Sequence, residues 1–310
     1  MKKPDLFLIG APKAGTSALA DALARHPDIF CEKKEPRYFD ACIFYDDLSK
    51  ANAPNEDDYL NLYTGDKAQA AKYRLDASVF IMYSPESIER ILEMSPQAKF
   101  IISVRDPIGA SQSMFHQRLK YPDETMREVS SSFRHCWNLL PQRNLGYGFP
   151  DNCNNSNLFR YDFLYHYERH IPRLLEVIPQ EQFKIVFYED FKRDPDGTVN
   201  DIVNFCGLRH SLSTTVRSVN RSYFSERTTI EKLKFRMLRF LAFRTERIRR
   251  NNKLMNSIGK FGSRVLHPSQ KQLPECAFVD KETQVEMLDE FAETYKYLKD
   301  LGDQLAFGKL

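Results

Sequence analysis

The 310-residue chain has little of what marks several large classes of protein. It contains no stretch of about 18 consecutive apolar residues, so no membrane-spanning helix is expected. Its six cysteines, at 31, 42, 136, 153, 206 and 276, are scattered, with no C-x-x-C pair and no metal-ligand spacing. That pattern argues against a zinc site and favours reduced thiols in a cytoplasmic protein, with one or two disulfides as the alternative. The apolar run in MKKPDLFLIGAPKAG is too short for a signal peptide or anchor and leads straight into a loop. An excess of one charge is missing too: 45 basic against 42 acidic residues leave +3. A dedicated nucleic-acid binder is normally markedly basic, so no nucleic-acid partner is expected. What remains is 42% hydrophobic and 13% aromatic residues, enough to bury a sizeable core and to set disorder aside.

Four β-rich runs stand out: DLFLIG (5–10), YRLDASVF (73–80), KFIISVRD (99–106) and FKIVFYED (183–190). The first and the last two are continuously apolar rather than alternating, as suits strands buried on both faces of a parallel sheet. Between them lie helical patterns at 16–26, 84–95, 107–120 and 158–178. The helix at 84 starts Ser-Pro-Glu, a serine N-cap followed by proline at the first helical position. Strands alternating with helices predict an α/β, P-loop-like three-layer fold, a central parallel sheet flanked by helices. The Pro, Gly and Asn of 141–157 read as a loop over the site. Residues 1–310 read as one domain, an α/β core over 1–208 and a mainly helical extension over 209–310.

The first strand runs into GAPKAGTS, with Gly10 and Gly15 five positions apart. A nucleotide-triphosphate loop carries lysine directly after its second glycine; here Thr16 stands there, and the lysine is inside the loop at Lys13. A turn between a buried strand and a helix N-terminus aims backbone N–H groups and the helix dipole at one point, which suits an anion. Thr16 and Ser17 add hydroxyl donors and are expected to cap the helix's first turn. The strand at 99–104 ends in Arg105, followed by Pro107 and by Ser113 about two turns into the next helix. A triphosphatase needs an acidic residue at such a strand end to help hold magnesium; an arginine instead repels a cation and binds phosphate in a bidentate manner. Ligands in open α/β sheets sit beyond the carboxyl ends of the strands. Both loops are therefore expected to face one crevice and to hold two separated phosphate-like groups.

With these motifs the sequence resembles the PAPS-dependent sulfotransferases, PAPS being 3′-phosphoadenosine 5′-phosphosulfate. Pro12, Lys13, Ala14, Gly15, Thr16 and Ser17 match that family's P-K-x-G-T-[ST] loop, which holds the 5′-phosphosulfate. Arg105, Asp106, Pro107 and Ser113 match its second motif, which holds the 3′-phosphate. His26-Pro27 and Lys34-Glu35-Pro36-Arg37-Tyr38-Phe39-Asp40 are similar to the carbohydrate, heparan-sulfate-like branch, in which the glutamate is the catalytic base. The resemblance implies PAPS as donor, no required metal, Lys13 on the leaving oxygen, and Glu35 as base towards a hydroxyl or amine of a carbohydrate or other small acceptor. It also implies an echo of a C-terminal substrate loop in Gly262-Ser263-Arg264 and His267-Pro268, with Arg264 joining the cofactor contacts. Three features depart from the branch: Arg37 replaces a histidine, Asp76-Ala77-Ser78 lacks the branch's lysine, and the cysteine-flanked C-terminal loop is only faintly echoed.

His116 is a second candidate base. Residues 221–264 carry 13 Lys/Arg against three Glu, with Leu233, Met237, Phe240 and Leu241 on one helical face. That pattern leaves open a packed helix with a solvated basic side, attraction of an anionic acceptor, and contact with an anionic membrane surface. Two other readings of the chain stay open on sequence alone. One is an ATP–Mg-dependent small-molecule kinase with a variant loop; the other is a non-catalytic nucleotide-binding module at a membrane.

Overall fold

The computed structural model describes residues 3–209 and 273–306. Its principal elements are β1 (Leu6–Gly10), α1 (Thr16–Leu23), β2 (Ile29–Phe30), β3 (Tyr73–Asp76), α2 (Pro85–Met94), β4 (Lys99–Val104) and α3 (Pro107–Leu119), followed by α4 (Tyr161–Tyr165), α5 (Tyr167–Leu175), β5 (Phe183–Phe187), α6 (Tyr188–Arg193), α7 (Pro195–Phe205), α8 (Lys281–Glu290) and α9 (Ala292–Ala306). The strands form one five-stranded sheet in the order β2-β3-β1-β4-β5, every pairing parallel.

Alternation along each strand sends side chains to opposite faces, and the sheet divides its core accordingly. Phe7, Ile9, Phe100 and Ile102 face a large aromatic-rich layer that includes Phe39, Tyr59, Phe80, Phe115 and Ile171. Leu6, Leu8, Ile101 and Leu75 face the other side, against Leu19 and Leu23 of α1 and Val199, Ile202 and Val203 of α7. All of these are fully or almost fully buried, which is why β1 and β4 carry no polar alternation. Register pairs Phe7 with Phe100 and Gly10 with Ile102, with an irregularity between Leu8 and Gly10. The carboxyl ends of β1 and β4 therefore lie side by side, and so do the loops that follow them.

Several boundaries differ from the sequence expectation. The two-residue strand β2 has too little pattern to be read. The run 73–80 leaves the sheet after Asp76, whose side chain accepts from Ser78 N at 2.9 Å and turns the chain. The run 183–190 ends at Phe187, and Tyr188–Arg193 is helical. The long pattern 158–178 is two helices, broken at His166, whose ring lies between Glu168 (2.8 Å) and Glu290 (3.0 Å). Part of 141–157 is helical (Leu140–Asn144). The rest is tied down by Asn154, Asn155 and Asn157, which donate to the carbonyls of Asp47, Phe44 and Ile43. All six cysteines are free thiols. No described helix is long and apolar enough to cross a membrane. The basic stretch 221–264 and the Gly262–His267 echo lie outside the described residues.

Away from the site, Arg143 and Glu128 form a fully buried fork-to-fork pair (2.8 and 2.9 Å). The pair is completed by the Gly148 and Phe159 carbonyls and by the Tyr161 hydroxyl, which donates to Glu128 at 2.5 Å. Breaking a buried pair from one side leaves a charge without its counterion. Arg143→Met is therefore expected to lower stability by about 3–5 kcal/mol, and the double change with Glu128→Leu by much less. Urea denaturation of both variants checks this; a single variant as stable as the wild type would contradict it.

Candidate active site

The loop after β1 is shaped by close contact on both flanks. A Cβ on Gly10 would stand 2.3 Å from the Met82 sulfur, and Gly15, at φ +76°, would place one 2.7 Å from the Tyr188 ring. Lys13 also has a left-handed backbone, at φ 66°. The loop is stitched to β4: Ala11 N donates to Ser103 O (2.7 Å), and Ser103 Oγ donates to Ala14 O (2.7 Å). Gly15 is the N-cap of α1 and gives no side-chain bond, so the expected capping by Thr16 and Ser17 does not occur. Thr16 is buried, and Ser17 Oγ accepts from Lys34 Nζ at 2.8 Å. The first amides of α1 are thereby left without a side-chain acceptor, as an anion cradle requires.

Arg105 leaves β4 beside this loop. Its guanidinium donates to Lys13 O (3.0 Å) and lies over the Tyr188 ring at 4.6 Å. The neighbouring Asp106 is engaged elsewhere: it caps α3 through Gly109 N (2.7 Å) and accepts from the Tyr295 hydroxyl of α9. Pro12, Lys13, Gly15, Thr16, Ser17, Arg105 and Ser113 all border one cavity of about 570 Å³. That volume suits a small-molecule ligand. Ala14 is fully buried behind them, and Arg264 lies outside the described residues.

Glu35 borders the same cavity. Its Oε1 accepts from Lys34 Nζ at 2.7 Å and its Oε2 from Arg37. Lys34 is thus a bridge between Ser17 on the loop and Glu35. Arg37, itself left-handed at φ 67°, also donates to the buried Asp40 (2.6 Å) and lies 3.8 Å from the centre of the Phe44 ring. The segment is fixed to the end of β3 by Ala77 N donating to Lys34 O (2.8 Å). Burial raises a carboxyl's pKa, but at Glu35 the charges of Arg37 and Lys34 outweigh it and hold the group below the ordinary glutamate value. At Lys13 burial and then the charges of Arg118, Lys34, Arg105 and Lys120 act together and lower the ammonium to about 8. Asp76, fully buried behind this layer, is pushed up to about 7 by burial.

Three expectations change. His116 does not border the cavity: its Nε2 pairs with Ala277 O at 2.8 Å, and burial lowers its pKa, so its place is structural. No residue of 141–157 borders the cavity; Met126 and Leu158 do. Of the aromatic-rich start of the 158–178 pattern, only Leu158, in the turn before α4, contributes to the wall. Sequence reasoning also missed residues that do border it: Lys34 as a bridge, Tyr188, Gln117 and Arg118 on α3, and Tyr121 just beyond its end. A signal existed for Gln117, which lies four residues after Ser113 on the same helical face.

A family model described as "Sulfotransferase family" matches residues 4–211. Heparan sulfate glucosamine 3-O-sulfotransferase 6 of Mus musculus is 26% identical over 212 residues, covering 68% of this chain and 54% of that protein. Heparan sulfate glucosamine 3-O-sulfotransferase 3B1 of Mus musculus is 28% identical over 216 residues, covering 68% and 47%. The chain thus spans about half the length of the curated relatives it matches. A sulfotransferase from Alicyclobacillus acidocaldarius has a similar structure, with a TM-score of 0.59 and 26% identity over 82% of this chain and 99% of that one.

Gly15 tests the cradle directly. Gly15→Ala combines a left-handed backbone with a collision against Tyr188 and is expected to cost at least about 1–2 kcal/mol of stability. Thermal and urea unfolding measure it; a neutral substitution would show that the loop is not held in this conformation.

Proposed function

Because this chain belongs to the Sulfotransferase family, we propose that it moves a sulfuryl group from PAPS to a hydroxyl or amine of an acceptor. The observation that carries this reading is the Ser17–Lys34–Glu35 bridge. It ties the anion loop to a carboxylate within one cavity, with Lys13 beside them and Arg105 and Ser113 on the same wall. A second anion site at the end of the adjacent strand fits a donor with two separated phosphates. At the second site the carboxylate next to Arg105, Asp106, is engaged by Gly109 N and the Tyr295 hydroxyl. The names of the curated relatives support a carbohydrate acceptor. We treat residues 1–310 as one domain, because α9 returns from beyond the described core to hold Asp106.

In this reading the acceptor oxygen or nitrogen attacks sulfur in line, and the sulfur–oxygen bond to the 5′-phosphate breaks. The acceptor's proton passes to the Glu35 carboxylate, and Lys13, as the ammonium, meets the charge developing on the leaving phosphate oxygen. The loop amides and Ser17 hold the 5′-phosphate, while Arg105 and Ser113 hold the 3′-phosphate. Both oxygens of Glu35 accept from cations, Lys34 and Arg37. An anionic donor competes for Lys34 and frees one of them, so the base is ready when the donor is in place.

Calorimetry with PAP (3′-phosphoadenosine 5′-phosphate) and with ATP–Mg tests the donor. Metal-independent PAP binding is expected, and a preference for ATP–Mg would overturn the reading. Glu35→Gln is expected to lower kcat with labelled PAPS by about 10²–10⁴-fold while PAP affinity holds. Near-normal turnover would remove Glu35 from the mechanism.

The pH profile follows from the two shifts. Lys13 acts when protonated, so kcat/KM for the donor should fall as pH rises through about 8, and Lys13→Arg should move that limb upward. Glu35 acts when ionised and its pKa is lowered, so its acidic limb should lie below the ordinary glutamate range. A single alkaline limb that Lys13→Arg leaves in place would contradict the assignment.

A further inference from the structure

Three arginines are buried among the described residues, and two of them are fully accounted for. Arg143 forks onto Glu128; Arg74 pairs with Asp5 and with the carbonyls of Lys3, Ala71 and Lys72. The third, Arg118, is 3% exposed and borders the cavity, yet no described carboxylate lies within ion-pair distance of it. Its Nε has no partner, one terminal nitrogen makes a long 3.4 Å bond to Met126 O, and its face rests on the Tyr121 ring at 4.5 Å. Its charged neighbours include Lys13 and Arg37, which are cations. Glu128 also acts on it, but is already committed to Arg143. A desolvated guanidinium with vacant donors among like charges is costly unless an anion meets it. Burial accordingly lowers its pKa.

Its place on α3 indicates where such an anion comes from. Ser113 and Arg118 are five residues apart, about 7.5 Å along the helix axis, and Arg118 stands near the end of α3 furthest along the chain from Arg105. Around it the wall turns apolar, with Phe44, Phe80, Met126 and Leu158 bordering the same cavity. Arg118 is the charge that acts most strongly on Lys13, and Glu35 borders the same cavity, so an anion held by Arg118 would lie close to the reacting groups.

We infer that Arg118 anchors an anionic group of the acceptor itself, so that the substrate is a compact hydroxyl or amine compound carrying a carboxylate or similar single anion on a body with an apolar face. This rests on the sulfuryl-transfer reading of the cavity, and it narrows that reading from acceptors in general to acidic ones. Arg118 then fixes the acceptor's orientation, and the fork geometry of a guanidinium specifies a planar or tetrahedral oxyanion.

The test uses the full chain saturated with PAP, titrated calorimetrically with para-hydroxybenzoate, with the methyl glycoside of glucuronic acid, and with the neutral amide of each. At least one acid is expected to bind about tenfold or more tightly than its amide. Arg118→Met should abolish that preference and leave PAP affinity unchanged, and Arg118→Lys should restore part of it. Which acid is preferred separates an apolar acceptor from a sugar acid. The inference is overturned if neither acid is preferred, or if the preference survives Arg118→Met. It also fails if Arg118→Met weakens PAP binding instead, which would move the residue to the donor site. If the wild type does not bind PAP yet prefers an acid without it, the donor reading fails and Arg118 stands as an anion site.

Discussion

The bonds that stitch the first loop to β4 set everything else at this site. Ser103 takes the loop at both ends, accepting from Ala11 N and donating to Ala14 O, and Arg105 then grips the carbonyl of Lys13. With its carbonyls held from behind, the loop presents its amides outward, and Lys13 is held in a left-handed turn facing the cavity. This works because the sheet is parallel and β1 and β4 are adjacent. Two strand ends that meet at the same edge can share a ligand and also brace each other.

Charge is the second organising constraint. Six basic side chains, from Lys13, Lys34, Arg37, Arg105, Arg118 and Lys192, border the cavity together with the carboxylate of Glu35. Cations packed out of water repel one another, as the lowered pKa of Lys13 registers. Filling the cavity with an anion relieves that repulsion, so ligand affinity and fold stability are linked at this point. Lys34 shares its ammonium between the loop serine and the carboxylate.

Much of this was legible in the sequence because it depends on local pattern. Continuous apolar runs mark β1, β4 and β5, and the glycine–lysine loop and Arg105, at the ends of adjacent strands, come to one cavity with Ser113 and Glu35. What could not be read depends on contacts between distant segments. The strand β2 is two residues long and exists only through its pairing with β3. The break at His166 depends partly on Glu290, over a hundred residues away. His116 carries the residue type of a base but is claimed by the Ala277 carbonyl. Helix capping by Thr16 and Ser17 is a local expectation that fails because the N-cap is Gly15, one residue earlier, while Ser17 is engaged by Lys34. Arg118 differs from Arg143 only in which partners the fold brings within reach, and composition cannot tell them apart.

The hydrogen bond from Tyr295 to Asp106 spans 189 residues of chain. Asp106 caps α3 and directly follows Arg105, so one corner of the anion site is braced by a helix made long after it. On a ribosome, which releases the chain from the N-terminus, the sheet and the first loop can assemble early, while this brace waits for the last described helix. The site is thus finished late in synthesis, and a nascent chain carries its cradle before it carries the support for its second anchor.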